Sequence, residues 1–321
     1  MRPEALSGLL CLLSSAWASP IPEVSSTLQN ILDNTHQSGL YRYPTDFTRG
    51  IIPKPFHSHN DYWRDVPFYS ALAYGATSVE ADVWLYNGTL YVGHEESALT
   101  TERTLDSLYI QPILDTVRRQ NPVTTFVPEP TRNGVYDTSS GQTLFLFIDL
   151  KTDGEETWPV VLDALNPLLS ANYLTTYNGT DFGIGPVTII GTGNTPLVAV
   201  EASEATAASP RYAFFDGPLA DLDQEEFQNI TRAVSPIAST AFGAQFGEVT
   251  SSGLNESSLD LLREQVSTAH DRGIMARYWD TPGFPIGTRN WVWRLLINEG
   301  VDFLNVDDLA GVASFWQMEG W

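Results

Sequence analysis

Cysteine is all but missing from this chain of 321 residues: the only one, Cys11, lies in an N-terminal apolar stretch. Downstream of it no disulfide framework and no thiolate chemistry can be built. Cations are scarce as well. Lys and Arg total 17 against 39 Asp and Glu, for a formal net charge of −22. Nucleic-acid binding needs clustered cations to displace counterions, so that class is excluded. General attraction to an anionic membrane surface is disfavoured for the same reason. An anionic substrate must then be captured locally, most simply by a bound metal. No stretch after the N-terminus reaches the ~18 apolar residues of a membrane span. Histidine is rare too, five in all, with none between His94 and His270. Internal repeats and low-complexity tracts are lacking. Aromatics, at 12%, are plentiful, which argues against a disordered chain.

The first residues have the pattern of a secretory signal peptide. Arg2 supplies a positive start, Leu9, Leu10, Leu12 and Leu13 an apolar centre, and Ala16-Trp17-Ala18 a small-x-small cleavage site. The expectation is a signal peptide over 1–18 and a secreted mature chain. Four sequons begin at Asn87, Asn178, Asn229 and Asn255. Together with the leader they predict a glycoprotein of the secretory pathway. Residues 19–52 read as a lead-in with one short helix, and 53–321 as a single catalytic domain.

Within that domain, apolar runs alternate with helical patterns. Strands are predicted at 54–59, 77–84, 144–150, 187–191, 211–216, 238–246, 274–279 and 301–306. Helices are predicted between them at 66–74, 105–119, 156–169, 194–204, 221–232, 257–272 and 288–300. Alternation of this kind implies parallel βα units, and eight of them fit a (β/α)8 barrel of the TIM type. One feature interrupts it. Asn87-Gly88 between Val83-Trp84-Leu85-Tyr86 and Thr89-Leu90-Tyr91-Val92 signals a tight hairpin, so strand two is expected to run past the barrel rim and fold back.

Catalytic groups of such a barrel sit at the C-terminal ends of its strands. Strand one ends in His57-Ser58-His59-Asn60-Asp61-Tyr62, strand two carries Glu80-Ala81-Asp82, the hairpin returns to Gly93-His94, and strand three ends in Asp149-Leu150-Lys151. Glu80 and Asp82, two apart, leave one face of a strand, as do Asp149 and Lys151. Paired carboxylates on an apolar strand call for a positive partner. A hard divalent cation answers that, with Glu80, Asp82, Asp149 and the Asn60 amide oxygen as donors. His59 and His94 beside it suit acid–base work, and the Lys151 ammonium suits a phosphate oxygen.

These segments closely resemble the phospholipase C-like phosphodiesterase superfamily. The order is His59-Asn60, Glu80-x-Asp82, Gly93-His94, then Asp149 on the next strand. The same order occurs in glycerophosphodiester phosphodiesterases. Asp149-Leu150-Lys151 is similar to the sphingomyelinase D toxins. His57-Ser58-His59-Asn60-Asp61-Tyr62 looks most like fungal members of the altered inheritance of mitochondria protein 6 group. The resemblance is strong over 55–96 and 144–152 and topological beyond. It implies His59 and His94 as the catalytic pair, Asn60, Glu80, Asp82 and Asp149 as Ca²⁺ or Mg²⁺ ligands, and a glycerophosphodiester or phospholipid-type substrate. The head group stays open, because the Asn60 match belongs to one branch and the Lys151 match to another.

Other readings compete. His57 shares a strand face with His59 and is a second candidate for the catalytic imidazole, or a core residue. An ideal two-residue hairpin pairs residue 94 with 81, which turns His94 away from Glu80 and Asp82 unless a bulge or splayed strand end intervenes. His36 and His270 belong to no constellation. Trp279 ends strand seven and is a candidate for the cleft wall, with core packing the alternative. Asp307 and Asp308 follow strand eight as functional groups or helix caps. A zinc amidohydrolase lacks imidazoles on its later strands. A glycosidase leaves the motif histidines without a role. A barrel that binds a ligand without turnover is the remaining alternative.

Overall fold

The computed structural model describes residues 24–35, 38–203, 205–249 and 253–319. The expected signal peptide, Cys11 and His36 lie outside the described residues. Two compact units divide between Tyr43 and Pro44. The first contains one helix, Ser26–Thr35, none of whose residues is buried. The second already includes Pro44–52: the Thr48 hydroxyl donates to the Val135 carbonyl at 2.8 Å, and Thr138 donates to the Ile51 carbonyl at 2.5 Å.

The strands are β1 (Lys54–Ser58), β2 (Ala76–Tyr86), β3 (Thr89–Val92), β4 (Leu144–Leu150), β5 (Thr176–Tyr177), β6 (Phe182–Gly183), β7 (Val187–Gly193), β8 (Ala213–Pro218), β9 (Ile237–Ala241), β10 (Met275–Trp279) and β11 (Phe303–Val306). Eight of these pair in parallel in the order β1-β11-β10-β9-β8-β7-β4-β2, and β2 pairs again with β1. The ladder therefore closes, and the fold is an eight-stranded parallel barrel. β3 lies outside it, antiparallel to the extended end of β2, with Tyr86 opposite Thr89. Asn87 and Gly88 both take positive φ, 50° and 77°, as a hairpin turn of that length requires.

Side-chain alternation explains both the core and the site. On β4, Leu144, Leu146, Ile148 and Leu150 point outward into the layer between strands and helices. Phe145 and Phe147 point inward and meet Ile190, Phe214, Ile237 and Phe303 inside the barrel. The next inward position on β4 is Asp149. β8 repeats the pattern, with Phe214 followed by Asp216; on β2, Glu80 pairs with Phe147 and Asp82 with Asp149, and β10 carries Arg277 and Trp279 toward its end. The barrel interior is apolar at its base and charged at its mouth. Removing the Phe147 ring would cost about 3–5 kcal/mol through the cavity left behind.

Several predicted elements differ. The stretch 221–232 forms turns, not a helix. Its apolar residues Leu222, Phe227 and Ile230 do not make a continuous helical stripe, and acidic neighbours at 221, 223, 225 and 226 repel one another. The predicted helix 156–169 is two helices, Gly154–Ala164 and Asn166–Ser170, divided where Pro167 cannot donate a backbone hydrogen bond. The run 238–246 is a strand only as far as Ala241, and Phe242–Phe246 turns into a short helix. The helix Leu309–Glu319 follows β11, burying Leu309, Val312, Phe315 and Trp316. Among the described residues no helix is long and apolar enough to cross a membrane.

Candidate active site

The mouth of the barrel holds a cavity of about 380 Å³. His59, Asn60, Glu80, Asp82, His94, Asp149, Lys151 and Trp279 all line it. Structure thus brings together residues spread over 220 positions.

Each is placed by a local device. Asn60 follows β1 in a left-handed conformation, φ 49°, which Asn tolerates better than most residues. That turn aims its backbone N–H at Glu80 Oε2, 2.8 Å away. Arg64 then fastens the turn across the seam of the barrel, donating to the carbonyls of His59 at 3.1 Å and Val306 at 3.0 Å. Behind it, Asp61 accepts from Ser58 and from the Phe68 backbone. Burial pushes the Asp61 carboxyl up to about 6, against those hydrogen bonds. Asp149 owes its position to Gly193, whose φ is +64°. A Cβ there would stand 1.9 Å from Asp149 Oδ1.

The return of His94 needs no bulge. The β2–β3 ladder keeps strict register up to Val83 opposite Val92, and Gly93 N–H still reaches the Asp82 carbonyl at 3.2 Å. The chain then leaves the ladder, so strand parity no longer governs residue 94. His94 Nδ1 lies 3.2 Å from Asp82 Oδ2 and 2.9 Å from the Tyr62 hydroxyl.

Glu80, Asp82 and Asp149 each offer one carboxylate oxygen, all within 4.8 Å of one another. Burial raises the Asp82 carboxyl to about 6, reinforced by the charges of Glu80 and Asp149 and opposed by Lys151. Burial alone would raise Glu80 as well, but the neighbouring imidazoles and Arg277 outweigh it and hold that carboxyl well below its usual range. Lys151 Nζ lies 2.8 Å from Asp149 and 3.0 Å from Asp82. Its pKa would fall on burial, yet those two carboxylates raise it. Arg277 stands 4.0 Å from Glu80. Three carboxylates face these two cations, and Arg277 is shared with a fourth, Asp216, 3.9 Å away, so negative charge is in excess. An all-oxygen donor set with surplus negative charge fits a hard divalent cation. Asn60 Oδ1 is tied to the same cluster, because the Tyr62 hydroxyl touches both it and Asp82.

The two histidines of β1 differ. His59 Nδ1 donates to Asp307 Oδ1 at 2.8 Å, which turns Nε2 toward Glu80, 3.9 Å away. Burial would lower its pKa, but Asp307 and Glu80 raise it above the ordinary value. His57 is fully buried, bonded to Ser78 at 2.7 Å, and packed edge-on against Phe147. Burial, helped by Arg277, lowers it to about 3. It is a neutral core imidazole beneath Glu80 and does not line the cavity.

The sequence comparisons fall on this same region. Residues 45–216 match the AIM6-like phosphodiesterase domain. The altered inheritance of mitochondria protein 6 homolog of Arthroderma benhamiae is 50% identical over 98% of this chain and 100% of its own. The chain belongs to the altered inheritance of mitochondria protein 6 family. The Eremothecium gossypii member is 39% identical over 81% of this chain and 68% of its own. Two solved structures are distantly similar. A glycerophosphoryl diester phosphodiesterase from Parabacteroides distasonis gives a TM-score of 0.44 at 14% identity, covering 84% of this chain and 87% of its own. The phosphatidylinositol-specific phospholipase C of Listeria monocytogenes gives 0.46 at 8%, covering 86% and 95%.

Motif reading missed several site residues of this altered inheritance of mitochondria protein 6 family member. Asp216 and Arg277 also line the cavity, 3.9 Å apart. Asp216 Oδ2 accepts from Thr192 at 3.1 Å, and burial pushes its carboxyl up to about 6. Arg277 lies over the Phe147 ring and reaches Ser239 and Asn305. Their signal was available: a lone charge at an inward position of an otherwise apolar strand. Asp307 and Asp308 divide the two roles proposed for them. Asp307 orients His59, while Asp308 accepts from the Gly311 N–H at 2.8 Å and caps the last helix. His270 is paired with Asp302 at 2.8 Å, away from the site.

Proposed function

We propose that this protein is a divalent-cation-dependent phosphoric diester hydrolase acting on a glycerophosphodiester or phospholipid-type substrate. The phosphodiesterase-like domain gives the reaction class. The observation that carries the finer reading is the joining, in one cavity, of three converging carboxylates with two imidazoles that are each held at Nδ1. A hydrogen bond at Nδ1 leaves Nε2 free for proton transfer.

Glu80, Asp82, Asp149 and Asn60 would hold Ca²⁺ or Mg²⁺, which when bound neutralises and orients the phosphoryl oxygens. One histidine of the His59–His94 pair takes the proton from the attacking oxygen. The other gives a proton to the leaving oxygen as its P–O bond breaks. If a hydroxyl of the substrate next to the phosphate attacks, a cyclic phosphate forms first, because an internal nucleophile is already in position. Lys151 stabilises charge on a non-bridging oxygen. Trp279, 42% exposed, forms the outer wall.

Export and glycosylation belong to the same proposal. Asn87, Asn229 and Asn255 are exposed, and Asn178 is half-buried with its Oδ1 committed to the following turn. Each is compatible with a glycan on the free amide nitrogen.

The test is ³¹P NMR of the purified protein with glycerophosphodiesters, lysophospholipids and sphingomyelin, with Ca²⁺ or Mg²⁺ and with EDTA. A new monoester or cyclic-phosphate resonance that EDTA abolishes is expected. Undiminished turnover in EDTA would overturn the metal dependence.

A further inference from the structure

Against a net charge of −22, one segment beside the active site has no charge at all. Residues 281–288 read Thr-Pro-Gly-Phe-Pro-Ile-Gly-Thr, between Asp280 and Arg289. They connect β10 to the helix Ile286–Asn298, so they emerge on the catalytic face of the barrel. Phe284 is 81% exposed and Ile286 58%. Proline and glycine at four of the eight positions restrict and shape this tip. The loop after β1 adds Trp63, 62% exposed, and Val66, 54%. Trp63 also stands at the mouth itself, its ring centroid 5.2 Å from that of His94.

The two loops are neighbours. Arg64 donates to the Asp307 carbonyl on the β11 side, and the next residue, Asp308, binds Arg289 at 2.6 Å. Arg289 lies one turn inside the helix that Ile286 begins. Trp63 and Val66 on one loop and Phe284 and Ile286 on the other therefore flank the same seam, beside a cavity whose outer wall is Trp279.

We infer that this apolar rim, with the uncharged segment 281–288 as its larger part, docks the mouth of the barrel on a zwitterionic phospholipid surface. The inference rests on the phosphodiesterase reading for its chemistry and adds the form in which the substrate is presented, as a lipid in a bilayer. Exposed aromatic and aliphatic side chains grouped around a cavity mark an interaction surface. Trp and Phe suit the boundary between water and acyl chains. Charge selects among occupants. A second copy of the chain would bring two highly negative surfaces together, an anionic bilayer would be repelled, and a basic protein would seek the acidic surface rather than this tip. A bilayer without net charge meets none of these penalties.

The experiment is flotation of the full chain with vesicles of phosphatidylcholine, comparing wild type with the double variant Phe284→Ser, Ile286→Ser. Both positions are exposed and neither lines the catalytic cavity, so circular dichroism should match wild type. Wild type is expected to float, and the double variant to bind at least about tenfold more weakly, since two apolar side chains no longer leave water. Replacing part of the phosphatidylcholine by phosphatidylserine should weaken wild-type binding. Hydrolysis of a soluble diester, bis(4-nitrophenyl) phosphate, should be equal in the two proteins. Equal flotation of both, or none by wild type, would overturn the docking surface while leaving soluble hydrolysis intact. Flotation that depends on Phe284 and Ile286 without any hydrolysis would sustain the docking surface and overturn the phosphodiesterase reading instead.

Discussion

The first and second halves of the barrel build the mouth in different ways. In the first, from β1 to β4, functional side chains come in close clusters: His59-Asn60, Glu80-x-Asp82, Gly93-His94, Asp149-x-Lys151. In the second, from β7 to β11, they come singly, as Asp216, Arg277 and Asp307. The clustered half presents the carboxylates, imidazoles and ammonium that face the proposed reaction. The solitary half orients one imidazole, through Asp307, and supplies the guanidinium that stands between Glu80 and Asp216. Chemistry and its support are thus drawn from different halves of the chain. Mutations on the two sides should fail differently.

The largest effect belongs to the first half. His59→Ala and His94→Ala should each lower kcat about 10²- to 10⁴-fold in the ³¹P NMR assay, with unfolding midpoints near wild type. Full activity in either would break the division of labour. Arg277→Met tests the second half. It leaves Glu80 and Asp216 buried without their shared cation, so urea unfolding should report a loss of about 3 kcal/mol. A variant of wild-type stability would mean that the guanidinium serves the substrate alone. Gly193→Ala, from β7, acts across the division. Its Cβ would displace the Asp149 carboxylate, and calorimetry should find divalent affinity about tenfold lower. Unchanged affinity would remove Asp149 from the ligand set.

Legibility in the sequence follows the same contrast. Glu80-x-Asp82 is readable because strand parity alone places both side chains on one face. Asn87-Gly88 announces the hairpin through its positive φ angles. His94 is where parity misleads: the ladder would turn it outward, and only the departure of the chain after Gly93 brings it to Asp82. His57 and His59 cannot be told apart by pattern, since both sit at inward positions. Burial separates them, and burial depends on Phe147 and Arg277, far away in sequence. Arg277 itself sits in Met-Ala-Arg-Tyr-Trp, where nothing local says that its partners lie on β2 and β8. The turn at 221–232 shows the converse, a helix-like composition without the apolar stripe that would hold a helix to the barrel.

Asp307 and Asp308 give the finest version of the comparison, because adjacent residues of one type serve opposite ends. Asp307→Ala should reduce kcat on the order of tenfold, less than loss of the imidazole it orients, with little change in stability. Asp308→Ala should do the reverse. Its Oδ1 accepts from the Gly311 N–H, three residues on, in the manner of an N-cap, and replacing such a cap costs about 1 kcal/mol. Burial tends to raise the Asp308 carboxyl, but the Gly311 N–H and Arg289 outweigh it and hold it below the ordinary value. A carboxyl depressed on folding stabilises above its unfolded pKa of about 3.9 and loses that contribution as pH falls through the folded value. The stability gap between wild type and Asp308→Ala should therefore be constant from neutral pH down to about pH 5 and shrink below about pH 4. A gap that persisted in acid would mean that the carboxylate charge is irrelevant and that Asp308 acts on the helix through packing alone.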